Sequence, residues 1–306
     1  MKLVLELFNY FIFPGFLFSA CAGLFSGWID RKVTARLQWR KGPPWHQNFT
    51  DIVKLLGKET ILPEGAKFTF LFSPYLGVLA LSLVAAILGK SLLNPQEGFI
   101  GDLIVVIYLL VIPAIALILG GSSSRNPLAS VGVSREMKMV LAYELPFILS
   151  IIAIIIKCGG AIQLGQIINH QINFGSNIAS LSGALGFIAI IFCMQAKIGF
   201  VPFDASEAEQ EIMAGVLIEY SGLPLAIFKL TKAIMLYTMP VFLIILFMAG
   251  NLNPLLIIAK YIGLLVVVIL IKNTNPRLRI DQALRFFWRI PTALAVLSVA
   301  LALCGL

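Results

Sequence analysis

The sequence predicts an all-α integral membrane protein of about eight transmembrane helices, with one short interfacial amphipathic helix in its first loop. Three observations predict it. First, 59% of the 306 residues are hydrophobic and only 12% are charged, whereas soluble domains run near a quarter charged. So much apolar surface needs the bilayer as its solvent. Second, the apolar runs are long and continuous. Lipid admits only helices or closed barrels, because every backbone polar group must be paired internally, and a barrel would show ten-residue alternations instead. Third, the loops between the runs alternate in charge.

Eight charge-poor windows are long enough to span: Leu7–Ile29, Phe68–Gly89, Leu103–Gly120, Met139–Ile156, Ile178–Ala196, Ala233–Gly250, Leu252–Ile271 and Ile290–Leu306. Most hold about 18–23 residues, near the ~20 that span ~30 Å of hydrocarbon at ~1.5 Å per residue. Residues 7–29 read as a retained first helix rather than a cleaved signal peptide, since the apolar run continues past Cys21 to Trp28. The sixth span has an alternative start near Gly222, which makes it long and tilted. The last two spans require a tight turn at Asn251–Pro254. The chain reads as one membrane domain, 1–306, with no internal repeat.

Residues 30–67, 121–138, 197–221 and 272–289 carry 17 of the 23 lysines and arginines. Positive residues stay cytoplasmic, so this side faces the cytoplasm and both termini face outward across the plasma membrane. Topology thereby explains the net charge of +8, and no nucleic-acid partner is implied. Twelve of the 15 acidic residues share that side. The positive-inside rule does not produce such a bias, so the acids need a functional cause.

Four stretches carry that chemistry. In residues 30–67, Gly42-Pro43-Pro44 breaks the helix. Phe49, Ile52, Val53 and Leu56 then recur at i, i+3, i+4, i+7 as an apolar stripe suited to the membrane interface. Residues 122–146 place Glu144 one to two turns inside the fourth span, where an intramembrane carboxylate marks a proton or ion path by default. Residues 200–222 hold Asp204, Glu207, Glu209, Glu211 and Glu219 with no lysine or arginine. If helical, Asp204, Glu207 and Glu211 share one face, repel, and share protons. Lys229 and Lys232 follow on one face of the sixth span and can trade protons with those acids. Residues 272–291 set five basic residues against Asp281, a basic interfacial patch.

Other chemistries find little support. Cys21, Cys158, Cys193 and Cys304 stand far apart and form no C-x-x-C pair, so an iron–sulfur cluster belongs on a partner. His46 and His170 fall on opposite sides, and no His/Asp/Glu cluster has metal-ligand spacing. The chain alone is not expected to be catalytic.

Four motifs, in order, resemble the H subunit of respiratory complex I (subunit 1 of NADH dehydrogenase) and its relatives in energy-converting nickel–iron hydrogenases. They are R-x-Q-x-R-x-G-P with D-x-x-K-L-x-x-K-E (Arg36 to Glu59), S-R…Y-E (Ser124 to Glu144), P-F-D-x-x-E-x-E-x-E…E-Y (Pro202 to Tyr220) and P-R-x-R-x-D-Q…W (Pro276 to Trp288). The resemblance implies eight transmembrane helices with outward termini and a role as membrane anchor of a peripheral electron-transfer arm, docked by loops 30–67 and 200–222. Glu144, Asp204, Glu207, Glu209, Glu211 and Glu219 match the family's glutamate-rich coupling path. Arg36, Arg40, Asp51, Lys58 and Glu59 match its first-loop motif, and Arg277, Arg279 and Asp281 the last.

Three positions depart from the quinone-using members. Phe200 stands where they have an arginine, Gly42-Pro43-Pro44 where they have G-P-N, and Lys232 where they have a glutamate. These favour the hydrogenase-type branch, or its relative that reduces sulfane sulfur, with ferredoxin as donor. The expected partners are peripheral iron–sulfur and hydrogenase-like subunits, antiporter-like membrane subunits and the lipid bilayer. The expected cofactors, iron–sulfur clusters and a nickel–iron (NiFe) centre, lie on those partners. The alternatives are a quinone-binding complex I subunit and, from a different class, a passive scaffold that only tethers the arm, with a lone transporter last.

Overall fold

The computed structural model describes residues 2–63 and 68–305, with side chains left out for residues 2–5, Glu209 and Gln210; Glu64 and Lys67 of the first loop lie outside the described residues. Among the described residues thirteen α-helices follow one another: α1 (Lys2–Phe11), α2 (Phe16–Leu37), α3 (Gln47–Leu56), α4 (Phe68–Leu93), α5 (Asp102–Leu109), α6 (Ile112–Ser123), α7 (Pro127–Lys157), α8 (Leu164–Phe174), α9 (Leu181–Ile198), α10 (Glu209–Ile212), α11 (Gly222–Phe247), α12 (Pro254–Thr274) and α13 (Ile280–Leu303). Among the described residues they make eight spans long and apolar enough to cross a membrane. The protein is a multi-pass membrane protein.

Two spans are broken where an unbroken helix was expected. The first runs through α1 and α2 with a break at Phe13-Pro14-Gly15, and the third is α5 followed by α6. Each break stands at a proline, Pro14 or Pro113, which removes a backbone donor and crowds the preceding turn. The expected loop at 121–138 is also corrected. Asn126 caps α7 by accepting from the Leu128 amide (2.8 Å), Pro127 takes the first helical position, and the helix runs 31 residues. Its length of about 46 Å exceeds the hydrocarbon, so its first turns project beyond it. The sixth span takes the early start, at Gly222, and the last hairpin turns between Phe247 and Pro254 with Asn253 as cap.

Helix α3 forms where the stripe placed it. Asn48 is its buried residue, donating to the Leu24 carbonyl oxygen (2.8 Å), while Val53 and Leu56 stay exposed. An exposed apolar face on a short helix beside the bundle suits the membrane interface.

Helix α11 runs through the middle of the bundle. It packs against α2, α4, α3 and α9, and Val241–Phe247 are all buried. At Gly23 a side chain is impossible without movement: a Cβ there would stand 2.2 Å from the Ala233 carbonyl oxygen. Helices α2 and α11 therefore touch backbone to backbone, the small-residue packing that membrane helices use in place of a hydrophobic drive. A second group, α7, α9 and α13, packs beside it, with α9 touching both, and Phe203 in the turns after α9 meets Phe287 of α13 ring to ring at 4.7 Å.

Candidate functional site

The stretch between α9 and α11 is not the single acidic helix considered above. Gly199 adopts a left-handed backbone (φ 69°) that ends α9. Turns follow from 201 to 208, α10 is one helical turn, and the chain reaches α11 through a 3-10 turn at Gly215–Leu217. Asp204, Glu207 and Glu211 thus share no face. Each acid has its own cation, drawn from another element. Arg277 grips Asp204 with two prongs, Nε to Oδ1 at 2.9 Å and Nη2 to Oδ2 at 2.5 Å. Lys232 of α11 donates to Glu207 (2.6 Å), and Arg135 of α7 donates to Glu211 (2.6 Å). Glu219 accepts from Asn126 Nδ2 (2.6 Å), so the residue that starts α7 also ties down the far end of the stretch. The side chain of Glu209 lies outside the described residues.

Glu144, inside α7, meets Lys197 from the last turn of α9 in a salt bridge. The lysine side chain is only 1% exposed, and its Nζ also lies over the Phe147 ring, 4.4 Å from the centroid. One carboxylate oxygen, Oε2, has no hydrogen-bond partner among the described residues. A buried charge is tolerated when paired, and Lys197 supplies that pairing.

Three of these groups, Glu207, Lys232 and Lys197, border a cavity of about 500 Å³ between α2, α3, α6, α7, α9 and α11. Glu136, Lys197, Glu207, Lys229, Lys232 and Asp30 all line it. Lys229 and Lys232 do share this face, Lys229 exposed and Lys232 bound to Glu207. Asp30 is buried and accepts from Lys272 of α12 (2.7 Å). Sequence reasoning missed Glu136 and Lys197. The signal for Glu136 was available: it stands eight residues before Glu144, within the helix that Asn126-Pro127 opens.

The first loop closes one wall of the cavity. Asp51 accepts from Arg31 (3.0 Å) and Gln47 (2.8 Å). Partial burial raises its carboxyl, but those two bonds and the charges of Arg31 and Lys54 outweigh it and hold the group below the usual aspartate value. Trp28 Nε1 donates to the Pro43 carbonyl oxygen (3.1 Å), and the Ile61 amide donates to Ser221 (2.9 Å), which pins the loop to the foot of α11. Tyr220 stacks on Phe70 at 4.1 Å and donates to its carbonyl oxygen (3.1 Å). Burial pushes the Tyr220 hydroxyl up, against the hydrogen bonds of Ser73 and Ser123. Arg36, Arg40, Lys58, Glu59, Arg279 and Asp281 are exposed, and Arg277 is half-buried against Asp204. All of them stand on the side where the 199–221 stretch lies.

A family model described as NADH dehydrogenase matches residues 10–303. The chain belongs to the NADH dehydrogenase family. It is 30% identical over 294 residues to the H subunit of NADH-quinone oxidoreductase from Dehalococcoides mccartyi (strain CBDB1), covering 89% of this chain and 80% of that protein. It is also 30% identical to formate hydrogenlyase subunit 4 of Escherichia coli (strain K12), over 91% of this chain and 94% of that one. Among solved structures it matches a chain of the membrane-bound sulfane sulfur reductase, an archaeal respiratory membrane complex. That match has a TM-score of 0.87, 30% identity, and coverage of 97% of this chain and 99% of the other. The NADH dehydrogenase family thus supplies relatives that are membrane subunits of oxidoreductase complexes, and this chain has their fold over nearly its whole length.

Proposed function

We propose that this chain is the membrane anchor and ion-coupling subunit of a ferredoxin-driven, hydrogenase-type membrane complex. Peripheral iron–sulfur and hydrogenase-like subunits dock on the face formed by the first loop, the 199–221 stretch and the α12–α13 connection, through Arg36, Arg40, Lys58, Glu59, Arg279 and Asp281. Iron–sulfur clusters and the nickel–iron centre sit on those partners. Antiporter-like subunits lie beside the bundle, the docking face is cytoplasmic, and both termini face outward.

The observation that carries the reading is the series of acids and lysines at the cavity inside the docking face: Glu207 with Lys232, Glu136, and Lys197, whose partner Glu144 stands behind it in α7. Charge arriving on an arm seated there would bias protonation within this series, and a linked change in neighbouring subunits would follow. Phe200 supports the hydrogenase branch. Its ring lies 4.6 Å from Lys272 Nζ and 5.8 Å from Lys232 Nζ, an apolar surface where a quinone-using member would carry an arginine.

A second reading, the equivalent subunit of a sulfane sulfur reductase, is favoured by the likeness of fold to that complex. Co-purifying partners separate the two: a neighbour with nickel-ligating C-x-x-C pairs fits the hydrogenase reading, and one without them the sulfur reading. The coupling role itself is tested by Glu144→Gln in the complex reconstituted in vesicles. The number of ions moved per electron should collapse, and an unchanged ratio would remove Glu144 from the path.

A further inference from the structure

We propose that Glu136 is the group that takes up the transferred proton inside the cavity, while the ion-paired acids around it form a fixed electrostatic frame. This rests on the coupling reading above and names the proton acceptor within it.

Four carboxylates line the cavity: Asp30, Asp51, Glu136 and Glu207. Three have a cation of their own. Asp30 is bound to Lys272 (2.7 Å), Asp51 to Arg31 (3.0 Å) and Glu207 to Lys232 (2.6 Å). A carboxylate held by a lysine or arginine must break a charge-assisted bond to become neutral. Glu136 has no salt bridge among the described residues. Its hydrogen-bond partner is the Ser206 hydroxyl. A hydroxyl is the one common donor that serves both protonation states, because it donates to the anion and turns to accept from the acid.

The charged groups that act on Glu136 are Glu207, which repels it, and Lys232, which attracts it but is already bound to Glu207. The stretch after α9 therefore delivers Ser206, a donor, and Glu207, a like charge, side by side. Along α7, Glu136, Val140 and Tyr143 share a face and Glu144 borders it. Aromatic side chains on a helix lean toward its N-terminus, so the Tyr143 ring reaches from the Glu144 level back toward Glu136. Its hydroxyl lies within electrostatic range of both carboxylates. The two acids stand about 12 Å apart along the axis, with Tyr143 on the Glu136 side of Glu144.

The step is a proton transfer and needs no other reactant. A hydronium ion in water entering at the docking face gives up its proton: one of its O–H bonds breaks, a new O–H bond forms on a Glu136 oxygen, neutral water is left, and the site's net charge rises by one. On release the Glu136 O–H bond breaks and the proton passes to a water molecule on the Glu144 side, which becomes hydronium and leaves the Glu136 anion restored.

The experiment uses the whole complex in lipid vesicles, with redox-triggered infrared difference spectra beside ion counts. Reduction of wild type should produce the carbonyl-stretch band of a protonated carboxylic acid. Glu136→Gln should remove that band and lower coupled ion transfer roughly a hundredfold, the order lost with a positioned proton acceptor. Glu136→Asp should retain the band at lower amplitude, and Ser206→Ala should shift its frequency and the pH profile of coupling. A merely structural Glu136 would leave band and pH profile in place in every variant that assembles, and that result overturns the assignment. If Glu136→Gln couples normally while Glu144→Gln does not, Glu136 alone is misassigned; if both couple normally, the coupling reading itself falls.

Discussion

Lys197 and Glu144 meet inside the bundle, one at the end of α9 and the other midway along α7, and the lysine side chain is almost wholly buried there. Removing one partner of such a pair strands the other in low dielectric at a cost of about 3–5 kcal/mol, whereas replacing both with apolar groups is close to neutral. Lys197→Met should therefore lower the melting temperature of the detergent-solubilised complex sharply. Lys197→Met with Glu144→Leu should recover most of it, a coupling that a double-mutant cycle reads directly.

Arg277 and Asp204 are joined by two parallel bonds, and the Leu278 amide beside them donates to the Pro202 carbonyl oxygen (3.1 Å). Lysine cannot reproduce that fork. Arg277→Lys should loosen the 201–208 turns from the α12–α13 connection while leaving the spans intact. Faster amide exchange at Phe203 and Leu278, with exchange in α11 unchanged, is the expected outcome.

Asp51 gives a pH signature. Its carboxyl is held below the 3.8 of a free aspartate, so its bonds to Arg31 and Gln47 stabilise the fold fully above that value. The stabilisation fades as pH falls through the lower folded-state value. A half-exposed pair is worth under about 1 kcal/mol. Melting curves of wild type and Asp51→Asn should differ slightly at neutral pH and converge in acid.

Gly23 lies against the Ala233 backbone. Gly23→Leu should push α2 off α11, costing about 1–3 kcal/mol as an overpacked contact. Distance measurements between spin labels on the two helices should report the separation. An unmoved pair of helices would mean the contact yields elsewhere.

The spans and α3 were legible because apolar periodicity is a local signal, present within one window of sequence. Pro14 and Pro113 were in plain view, but a continuous apolar run masks the break that each proline makes. The conformation of the 199–221 stretch, read as a loop that a shared acidic face would make helical, was not legible because it is set by cations from far along the chain: Arg135 before it, Lys232 and Arg277 after it. Glu136 escaped notice for a related reason. It falls in a segment that charge counting assigned to a loop, and only the Asn126-Pro127 helix start would have carried the period through to it.

Helix α7 runs unbroken from the side of the 199–221 stretch to the middle of the bundle, and Pro146 interrupts its hydrogen-bond ladder two residues beyond Glu144. Mechanically it is a stiff beam whose joint is the Ala142–Pro146 turn, the turn that carries Tyr143 and Glu144. A subunit leaning on the Arg135 end would swing Glu136 as part of the rigid arm and tilt it against the inner acid held in the joint.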